Sequence, residues 1–565
     1  MIHDRSQIYR VCAGFACISM LIARPLGGDE VPRANSDASP WLMFHRDENH
    51  TGVAVGSGNI DPASGPIVHW TFRVTTKPSK TQFCSYRWYS SFPLGDLDGD
   101  GALEVVVTTP DNFPDSPDRI IALKDMGGQS PGVTELWTYT VPPPEHGLSE
   151  GVDQYSAALA DADSDGLLDI LFCSKDGYVR ALKGTTGQLI WEYKTGRYIE
   201  AGPMIADLDG DGALEAIVPT DCKLGAVDCP GSSGTGALYV FRVAPAGGQK
   251  SNPPIWWRNF PGKLDSAEPA VADLDSNDGR NIKALVMGSW AGRLYVVWRN
   301  PDGKVIIRSI TLDKLDPSIH SIESAVVRSS PLAWKFGGVW RAVFGWMPDK
   351  GDGRNGRISA VDIVANMKTG AVTFTPKWTI SRADWKSSVA LLPQSTPPLV
   401  VTGYGIGIPA NQGTGNYGLC CNPMLGGILA IDSTGSVVWE KQFEKDGNIR
   451  SSTAVGDVDG DGHLEVILTG GCSGKIYAFD GATGAQEWSR QLGPRTIGTP
   501  SIGDLDGDGT TEIVVCSYDG RVYALGGPRA GQTGDDPAVW EPGSAAPSDG
   551  DCDCDQFRTP ACGEE

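Results

Sequence analysis

The stretch GDLDGDGALEVVV, residues 95–107, places three aspartates and a glutamate in one short turn and follows them with a β-branched run. The same pattern returns at 160–172, 206–218, 456–468 and 503–515, and in a damaged form at 272–286. A glycine-containing polar turn before a short apolar run is typical of a turn that leads into a buried strand. The chain therefore repeats one small β unit.

The spacing of these copies indicates how many units the chain holds. Most successive copies begin about 45 to 65 residues apart, close to the period of propeller blades, but 184 residues separate Asp273 from Asp457. Two units without the acids fill this gap, at 340–380 and 398–442, which brings the count to eight. A tryptophan marks the fourth strand of six units: Trp137, Trp191, Trp256, Trp378, Trp439 and Trp488.

Repeated units of four short strands predict the blades of a β-propeller, because one small sheet cannot bury both of its faces alone. We expect an all-β fold, an eight-bladed β-propeller of four-stranded antiparallel blades over residues 65–527. The last unit ends near 527 without a fourth strand. The N-terminal stretch 66–74, which carries Trp70, is expected to supply that strand and so to remove an open sheet edge.

The acidic turns have the oxygen spacing of a calcium site. Calcium takes six to eight oxygen ligands, and each turn offers carboxylates at positions 1, 3, 5 and 9 and a main-chain carbonyl at position 7. The glycine at position 6 allows the backbone to fold around an ion. We expect about five calcium ions, held by Asp96, Asp98, Asp100, the carbonyl of Ala102 and Glu104; by Asp161, Asp163, Asp165 and Asp169; by Asp207, Asp209, Asp211 and Glu215; by Asp457, Asp459, Asp461 and Glu465; and by Asp504, Asp506, Asp508 and Glu512.

Two other interpretations of the turns are weaker. An EF-hand needs its last acid at position 12, where Val107, Val218 and Val515 stand. Asp-Gly pairs also form ordinary turns without a metal, but five copies with four acids in register would each hold four like charges. The damaged copy is a poor site, because Lys283 falls near the position of the closing acid.

The spacing of the acids resembles the calcium-binding FG-GAP and VCBS-type repeats of integrin-like propellers, over about residues 65–527. The stretches ALKGTTGQLIWEYKTG (181–196), AFDGATGAQEWSRQLG (478–493) and WLMFHRDENHTG (41–52) are similar to repeats of eight-bladed quinoprotein-like propellers. Both resemblances imply the same fold. The second also implies an alternative function, a PQQ-dependent oxidoreductase, in which the adjacent Cys420 and Cys421 resemble a vicinal disulfide beside the cofactor.

Composition limits the partners and the location. The net charge of −22 disfavours nucleic acid and anionic lipid, and no apolar run is long enough to span a membrane. The N-terminus is typical of a secretory signal, so we expect a secreted, periplasmic or cell-surface monomer. Its segments are a signal peptide (1–25), a polar spacer (26–64), the propeller (65–527) and a flexible tail (528–565). Export would allow a disulfide between Cys222 and Cys229.

These features favour a calcium-stabilised binding module for a protein or glycan partner. Calcium loops join the first and second strands of each unit, so the loops between the second and third strands share the opposite rim, and loops on a rigid scaffold commonly carry function. Tyr404, Asn411 and Tyr417 are the first candidate contacts there. The alternatives are the oxidoreductase and a polysaccharide lyase or other glycan-active propeller; no catalytic residue is identified for either.

Overall fold

Short antiparallel strands form almost all of the regular structure. The structure is a computed structural model, which describes residues 40–74, 91–109, 118–127, 132–142, 157–222, 235–264, 267–274, 281–319, 322, 325–348, 356–382, 387–405, 426–443, 449, 451–493, 496, 498–517, 519–529 and 532. Within these ranges, helical structure is limited to short 3₁₀ turns such as Leu312–Lys314 and Gly471–Ser473, and no helix is long and apolar enough to cross a membrane.

Eight sheets succeed one another along the chain, in agreement with the predicted count of blades. Within each blade most neighbouring strands are antiparallel and follow one another in the chain; the N-terminal strands β1 and β2, described below, join blades 7 and 8 out of chain order. In blades 1 to 4 the strands are β3 (Leu94–Gly95), β4 (Glu104–Thr109), β5 (Arg119–Asp125) and β6 (Val133–Thr140); β7 (Ala158–Ala160), β8 (Asp169–Cys173), β9 (Tyr178–Leu182) and β10 (Leu189–Lys194); β11 (Met204–Ala206), β12 (Glu215–Thr220), β13 (Thr235–Arg242) and β14 (Trp256–Pro261); and β15 (Ala270–Ala272), β16 (Ala284–Ser289), β17 (Arg293–Arg299) and β18 (Val305–Thr311).

The two units without acids form blades 5 and 6, as the gap in the acidic pattern predicts. In blades 5 to 8 the strands are β19 (Val326–Val327), β20 (Leu332–Phe336), β21 (Val339–Met347), β22 (Arg357–Asn366) and β23 (Ala371–Ser381); β24 (Ala390–Leu392), β25 (Leu399–Gly405), β26 (Gly426–Ile431) and β27 (Val437–Phe443); β28 (Ala454–Asp457), β29 (Glu465–Thr469), β30 (Lys475–Asp480) and β31 (Gln486–Gln491); and β32 (Ser501–Gly503), β33 (Glu512–Ser517) and β34 (Arg521–Gly526).

An N-terminal strand closes the ring, which confirms the prediction. Strand β2 (Ile67–Arg73) pairs antiparallel with β34 and becomes the fourth strand of blade 8. Trp70 is fully buried, and its indole nitrogen donates a 2.7 Å hydrogen bond to Asp125 at the end of β5 in blade 1. The closing strand therefore joins the last blade to the first.

Residues 41–57, here called the axial segment, cross the centre of the ring. Its strand β1 (Val53–Ser57) pairs parallel with β28, and its backbone makes hydrogen bonds with inner strands of five further blades. The sequence assigns residues 26–64 to a polar spacer before the propeller; the structure corrects this, because residues 40–57 are part of the ring. The bonds to the other blades join Trp41 with Leu94, and Leu159 with Leu42, Val271 with Glu48, Ala333 with Asn49, and Leu391 with Thr51.

A second layer of hydrogen bonds connects neighbouring blades around the axis. At the start of each inner strand from blade 3 to blade 7, a backbone N–H donates to a side-chain oxygen of the next blade. Because each bond joins two blades, this belt fixes their spacing around the axis. The five bonds run from Gly202 to Glu268, from Glu268 to Ser330, from Ser330 to Ser388, from Ser388 to Ser452 and from Ser452 to Thr499.

The predicted tail boundary also needs a correction. Arg529 lies two residues beyond the predicted end of the propeller, yet its side chain is only 4% exposed, and Gln532 donates a 3.1 Å hydrogen bond to the carbonyl of Val68 in β2. The propeller therefore includes residues beyond 527. The predicted signal peptide and residues 533–565 of the predicted tail lie outside the described residues.

Candidate metal centre

All five acidic turns lie between the first and second strands of their blades, and they are named here by blade: loop 1 (96–104), loop 2 (161–169), loop 3 (207–215), loop 7 (457–465) and loop 8 (504–512). The first aspartate of each accepts backbone N–H groups of the turn; in loop 1, Asp96 Oδ1 accepts from Gly99 at 2.6 Å. The closing acid accepts from position 2, as Glu104 does from Leu97 at 2.7 Å. Position 6 is a left-handed glycine in every loop, as the spacing predicts.

This folding brings three acids of each loop together. The carboxylates at positions 1, 3 and 9 each place one oxygen within 4.8 Å of the others. The closing acids begin the second strands and are buried, whereas the position 3 acids are partly exposed or exposed. Oxygen ligands at this spacing could hold a hard cation such as Ca²⁺. The five groups are Asp96, Asp98 and Glu104; Asp161, Asp163 and Asp169; Asp207, Asp209 and Glu215; Asp457, Asp459 and Glu465; and Asp504, Asp506 and Glu512.

The carboxylates at position 5, which the sequence predicts as ligands, make different contacts. Each accepts the backbone N–H of position 7, as Asp100 does from Ala102 at 3.1 Å and Asp461 does from His463 at 2.7 Å. These aspartates are exposed or nearly so and lie outside the three-acid groups. A bound ion would therefore need a rotation of this side chain to recruit it.

Loops 1 to 3 contain a basic side chain of their own blade. Lys124 lies 2.5 Å from Asp98 and 3.2 Å from Glu104, and Lys183 lies 2.7 Å from Asp163. In loop 3, Arg242 forms an ion pair with Glu215, its cross-strand neighbour. These basic side chains, which lie in or directly after the third strand of their blade, contact the closing acid and compensate much of the negative charge of the three loops.

Loop 8 receives its positive charge from elsewhere. The position across from its closing acid, one step beyond the pair Ile513–Leu525, is Gly526. Arg529, which follows that strand, instead places its guanidinium 3.1 Å from Asp506 and 3.2 Å from Glu512.

Loop 7 differs from the other four. Its closing acid, Glu465, pairs across the strands with another acid, Asp480. Glu465 is fully buried, and its Oε1 makes no hydrogen bond within the described part of the chain. Among the described residues, no Lys or Arg forms an ion pair with any of the four acids of loop 7.

Burial raises the pKa of all five closing acids, including Asp169 beside Lys183 and Glu512 beside Arg529. Burial raises the pKa of Glu104 and of Glu215 to about 7. Burial raises that of Glu465 further, to about 9, with Glu487 and the neighbouring aspartates adding to the effect. A raised pKa means that the carboxylate form is poorly compensated. In loop 7, where no Lys or Arg among the described residues pairs with the acids, an added cation would therefore stabilise the carboxylates.

The damaged copy does not assemble such a group among the described residues. Lys283, which the sequence places near the closing-acid position, pairs with Glu48 of the axial segment at 2.7 Å. Where the other copies bring three acids together, this copy forms a salt bridge to the axial segment.

The predicted partner contacts fare differently. Tyr404 is only 1% exposed, and its hydroxyl donates to Glu440; it is a core residue, so its prediction as a surface contact is wrong. Asn411, Tyr417, Cys420 and Cys421 lie outside the described residues. Cys222 is disulfide-bonded, while its predicted partner Cys229 also lies outside them, so that pairing stays a prediction.

Trp290 is an aromatic residue on the predicted partner rim that the sequence analysis did not single out. It lies in the turn between the second and third strands of blade 4 and is partly exposed. Two cations flank its ring: Lys263 Nζ at 5.5 Å and the Arg328 guanidinium carbon at 4.6 Å from the centroid. Only the structure reveals this cluster, because the three residues come from three different connections.

Comparison with known proteins supports both resemblances. The FG-GAP-like repeat family matches residues 457–515, which contain loops 7 and 8. A europium-containing methanol dehydrogenase shares 14% identity at a TM-score of 0.53, covering 86% of this chain and 98% of its own. The quinohemoprotein alcohol dehydrogenase from Comamonas testosteroni shares 13% at 0.53, covering 87% and 82%, and Saccharomyces cerevisiae Sqt1 shares 13% at 0.51, covering 82% and 100%. No curated protein matches the chain. At these identities the similarity shows the propeller fold.

Proposed function

We propose that the protein is an exported, calcium-stabilised β-propeller that binds a protein or glycan through the rim opposite the acidic loops. The observation that carries the calcium assignment is loop 7, where a buried Glu465 with an unpartnered oxygen joins Asp457 and Asp459. Burying an uncompensated carboxylate is costly, so a divalent cation with a preference for oxygen ligands fits this loop best.

The five loops are not equivalent in this proposal. A calcium ion entering loops 1, 2, 3 or 8 must displace a basic side chain or share acids with it, whereas no Lys or Arg among the described residues competes for the acids of loop 7. We therefore expect loop 7 to bind calcium most tightly and the others more weakly. Calorimetric titration should show one tight class of site, which Asp459→Asn removes and Asp98→Asn leaves intact.

Trp290 supports the assignment of the partner rim. A partly exposed indole can stack on the apolar face of a sugar or pack against a protein side chain. Lys263 already pairs with Asp221 at 2.5 Å, so the flanking Arg328 is the cation that favours a partner carrying negative charge. A glycan array and a pull-down with the wild type and Trp290→Ala test this assignment. Trp257→Ala is the matched control, because Trp257 is 45% exposed on the outer strand β14, away from the rim. Equal loss in both variants would contradict a rim site.

Two disulfide-bonded cysteines support export. Cys222 and Cys516 are both disulfide-bonded, and disulfides persist mainly in oxidising compartments. Fractionation of the native host tests the proposed location, and light scattering of the purified protein tests the proposed monomer. A reduced, cytoplasmic protein would contradict the location without affecting the calcium assignment.

A further inference from the structure

Arg529 lies after the last repeat and contacts both blade 8 and blade 1, at the junction where the ring closes, here called the seam. It follows the last strand of blade 8 and is 4% exposed at its side chain. Its guanidinium meets Asp125 of blade 1 in a two-pronged contact, with Nη1 3.0 Å from Oδ1 and Nη2 2.8 Å from Oδ2. Asp125 in turn accepts the Trp70 hydrogen bond, so one arginine links blade 1, blade 8 and the closing strand.

The same guanidinium touches the acids of loop 8. Nε lies 3.1 Å from Asp506 and Nη2 lies 3.2 Å from Glu512. These are two of the three acids that converge in loop 8, the third being Asp504. Arg529 therefore contacts the carboxylates that a calcium ion in this loop would use.

A divalent ion and a guanidinium do not share these carboxylates well. Both are attracted to the same acids, and their mutual repulsion in a partly buried site is stronger than at an open surface. Unlike Lys124, Lys183 and Arg242, which belong to strands or directly follow them, Arg529 is on a segment with few other described attachments; Gln532 donates one hydrogen bond to Val68.

We propose that Ca²⁺ and the Arg529 guanidinium occupy loop 8 in exchange, so that calcium binding releases Arg529 from the seam. Without calcium, Arg529 supplies the positive charge and ties the segment to blades 1 and 8. With calcium, the ion takes over Asp506 and Glu512, and the arginine turns to solvent. This inference rests on the proposed function, because it requires that the loops bind calcium.

The rate of cleavage after Arg529 by an arginine-specific protease measures the exchange directly, because the protease must bind the arginine side chain in its own pocket. The full-length protein is digested in calcium or in chelator, and intact mass follows the loss of residues 530–565; an arginyl peptide in the same tube normalises protease activity. Cleavage after Arg529 should be at least about tenfold faster in calcium, as expected if a buried side chain becomes exposed in most molecules. Equal rates would overturn the exchange.

Two variants separate calcium binding from the arginine contacts. Asp508→Asn removes an acid of loop 8 that has no ion pair with Arg529 within the described contacts, so the rate increase should move to higher calcium. Asp125→Asn weakens the arginine contact and keeps every acid of loop 8, so cleavage should already be fast in chelator. The exchange is contradicted if the two variants respond to calcium alike.

Calorimetry of the same protein distinguishes the failure of this inference from that of the proposed function. If calcium produces no binding heat at all, the proposed function fails and the exchange fails with it. If calcium binds while the bond after Arg529 stays equally resistant at saturation, the calcium assignment stands and only the exchange is overturned.

Discussion

Equivalent substitutions in loops 1 and 7 should have opposite effects once calcium is removed. Asp98 and Asp459 both occupy position 3, but Asp98 lies 2.5 Å from Lys124, whereas Asp459 has no described basic partner. In chelator, Asp98→Asn loses part of an ion pair and should lower the free energy of unfolding by up to about 1 kcal/mol, as for a pair that is partly exposed to solvent. Asp459→Asn removes one of several unpaired like charges and should raise it by about 1 kcal/mol.

Calcium should reverse the effect in loop 7. With a dissociation constant of about 0.1 mM, 10 mM calcium stabilises the occupied loop by about 2.7 kcal/mol. A propeller of about 460 residues loses about 1 kcal/mol of stability per degree near its midpoint, so this corresponds to about 3 °C in Tm. Asp459→Asn should lose most of that gain, whereas Asp98→Asn should keep it.

Differential scanning calorimetry of the wild type and both variants, in chelator and in 10 mM calcium, measures all six midpoints. The reasoning is refuted if Asp459→Asn melts below the wild type in chelator, or if the two substitutions reduce the calcium-induced shift equally. In either case the acidic turns would be equivalent, and the basic side chains in loops 1 to 3 would not select among them.

Further predictions concern charge, pH and chemistry. Lys124→Met should tighten calcium binding to loop 1, because it removes the internal competitor; calorimetry should show an additional tight site, and an unchanged isotherm would contradict the competition. Burial lowers the pKa of His45 to about 3 and of His50 to about 4, so both are neutral in the folded axial segment and take up protons on unfolding below their usual pKa of 6.5. The free energy of unfolding should therefore be highest above pH 6.5 and fall with decreasing pH by up to about 1.4 kcal/mol per pH unit and per histidine. Denaturant unfolding of the wild type and of the double variant His45→Gln/His50→Gln should show that the wild type loses stability more steeply as the pH falls. Parallel plots of stability against pH would contradict this prediction. Reconstitution with pyrroloquinoline quinone and calcium should give no dye reduction with simple alcohols or sugars, and robust turnover would establish the oxidoreductase instead of the binding module.

The fold was predictable because its signals are local and repeated. The spacing of acids, glycines and apolar residues defined the first two strands of six units, and tryptophans such as Trp439 defined the fourth strand of six units. Even the closing strand could be predicted, because the last unit lacked a strand and residues 66–74 had the matching pattern. Each inference needed only the order of residues along the chain.

What the sequence analysis missed depends on contacts between units. The axial segment contacts seven blades through backbone groups, and such contacts cannot be recognised from residue type. Arg529 looks like one cation in a Gly- and Pro-rich tail, and only the ring brings it to Asp125. The difference between loops 3 and 7 could have been predicted from the sequence. The cross-strand neighbour of the closing acid is Arg242 in loop 3 and Asp480 in loop 7, and aligning the second and third strands of each unit would have shown this.

A crystal structure of the full-length protein in low-millimolar calcium, with the ions located by anomalous scattering, tests the central claim most directly. We predict a fully occupied ion in loop 7, with carboxylate oxygens of Asp457, Asp459 and Glu465 at about 2.3 to 2.6 Å, and lower occupancy in loops 1 to 3, where Lys124, Lys183 and Arg242 remain on the acids. Ions in loops 1 to 3 with none in loop 7 would contradict the account.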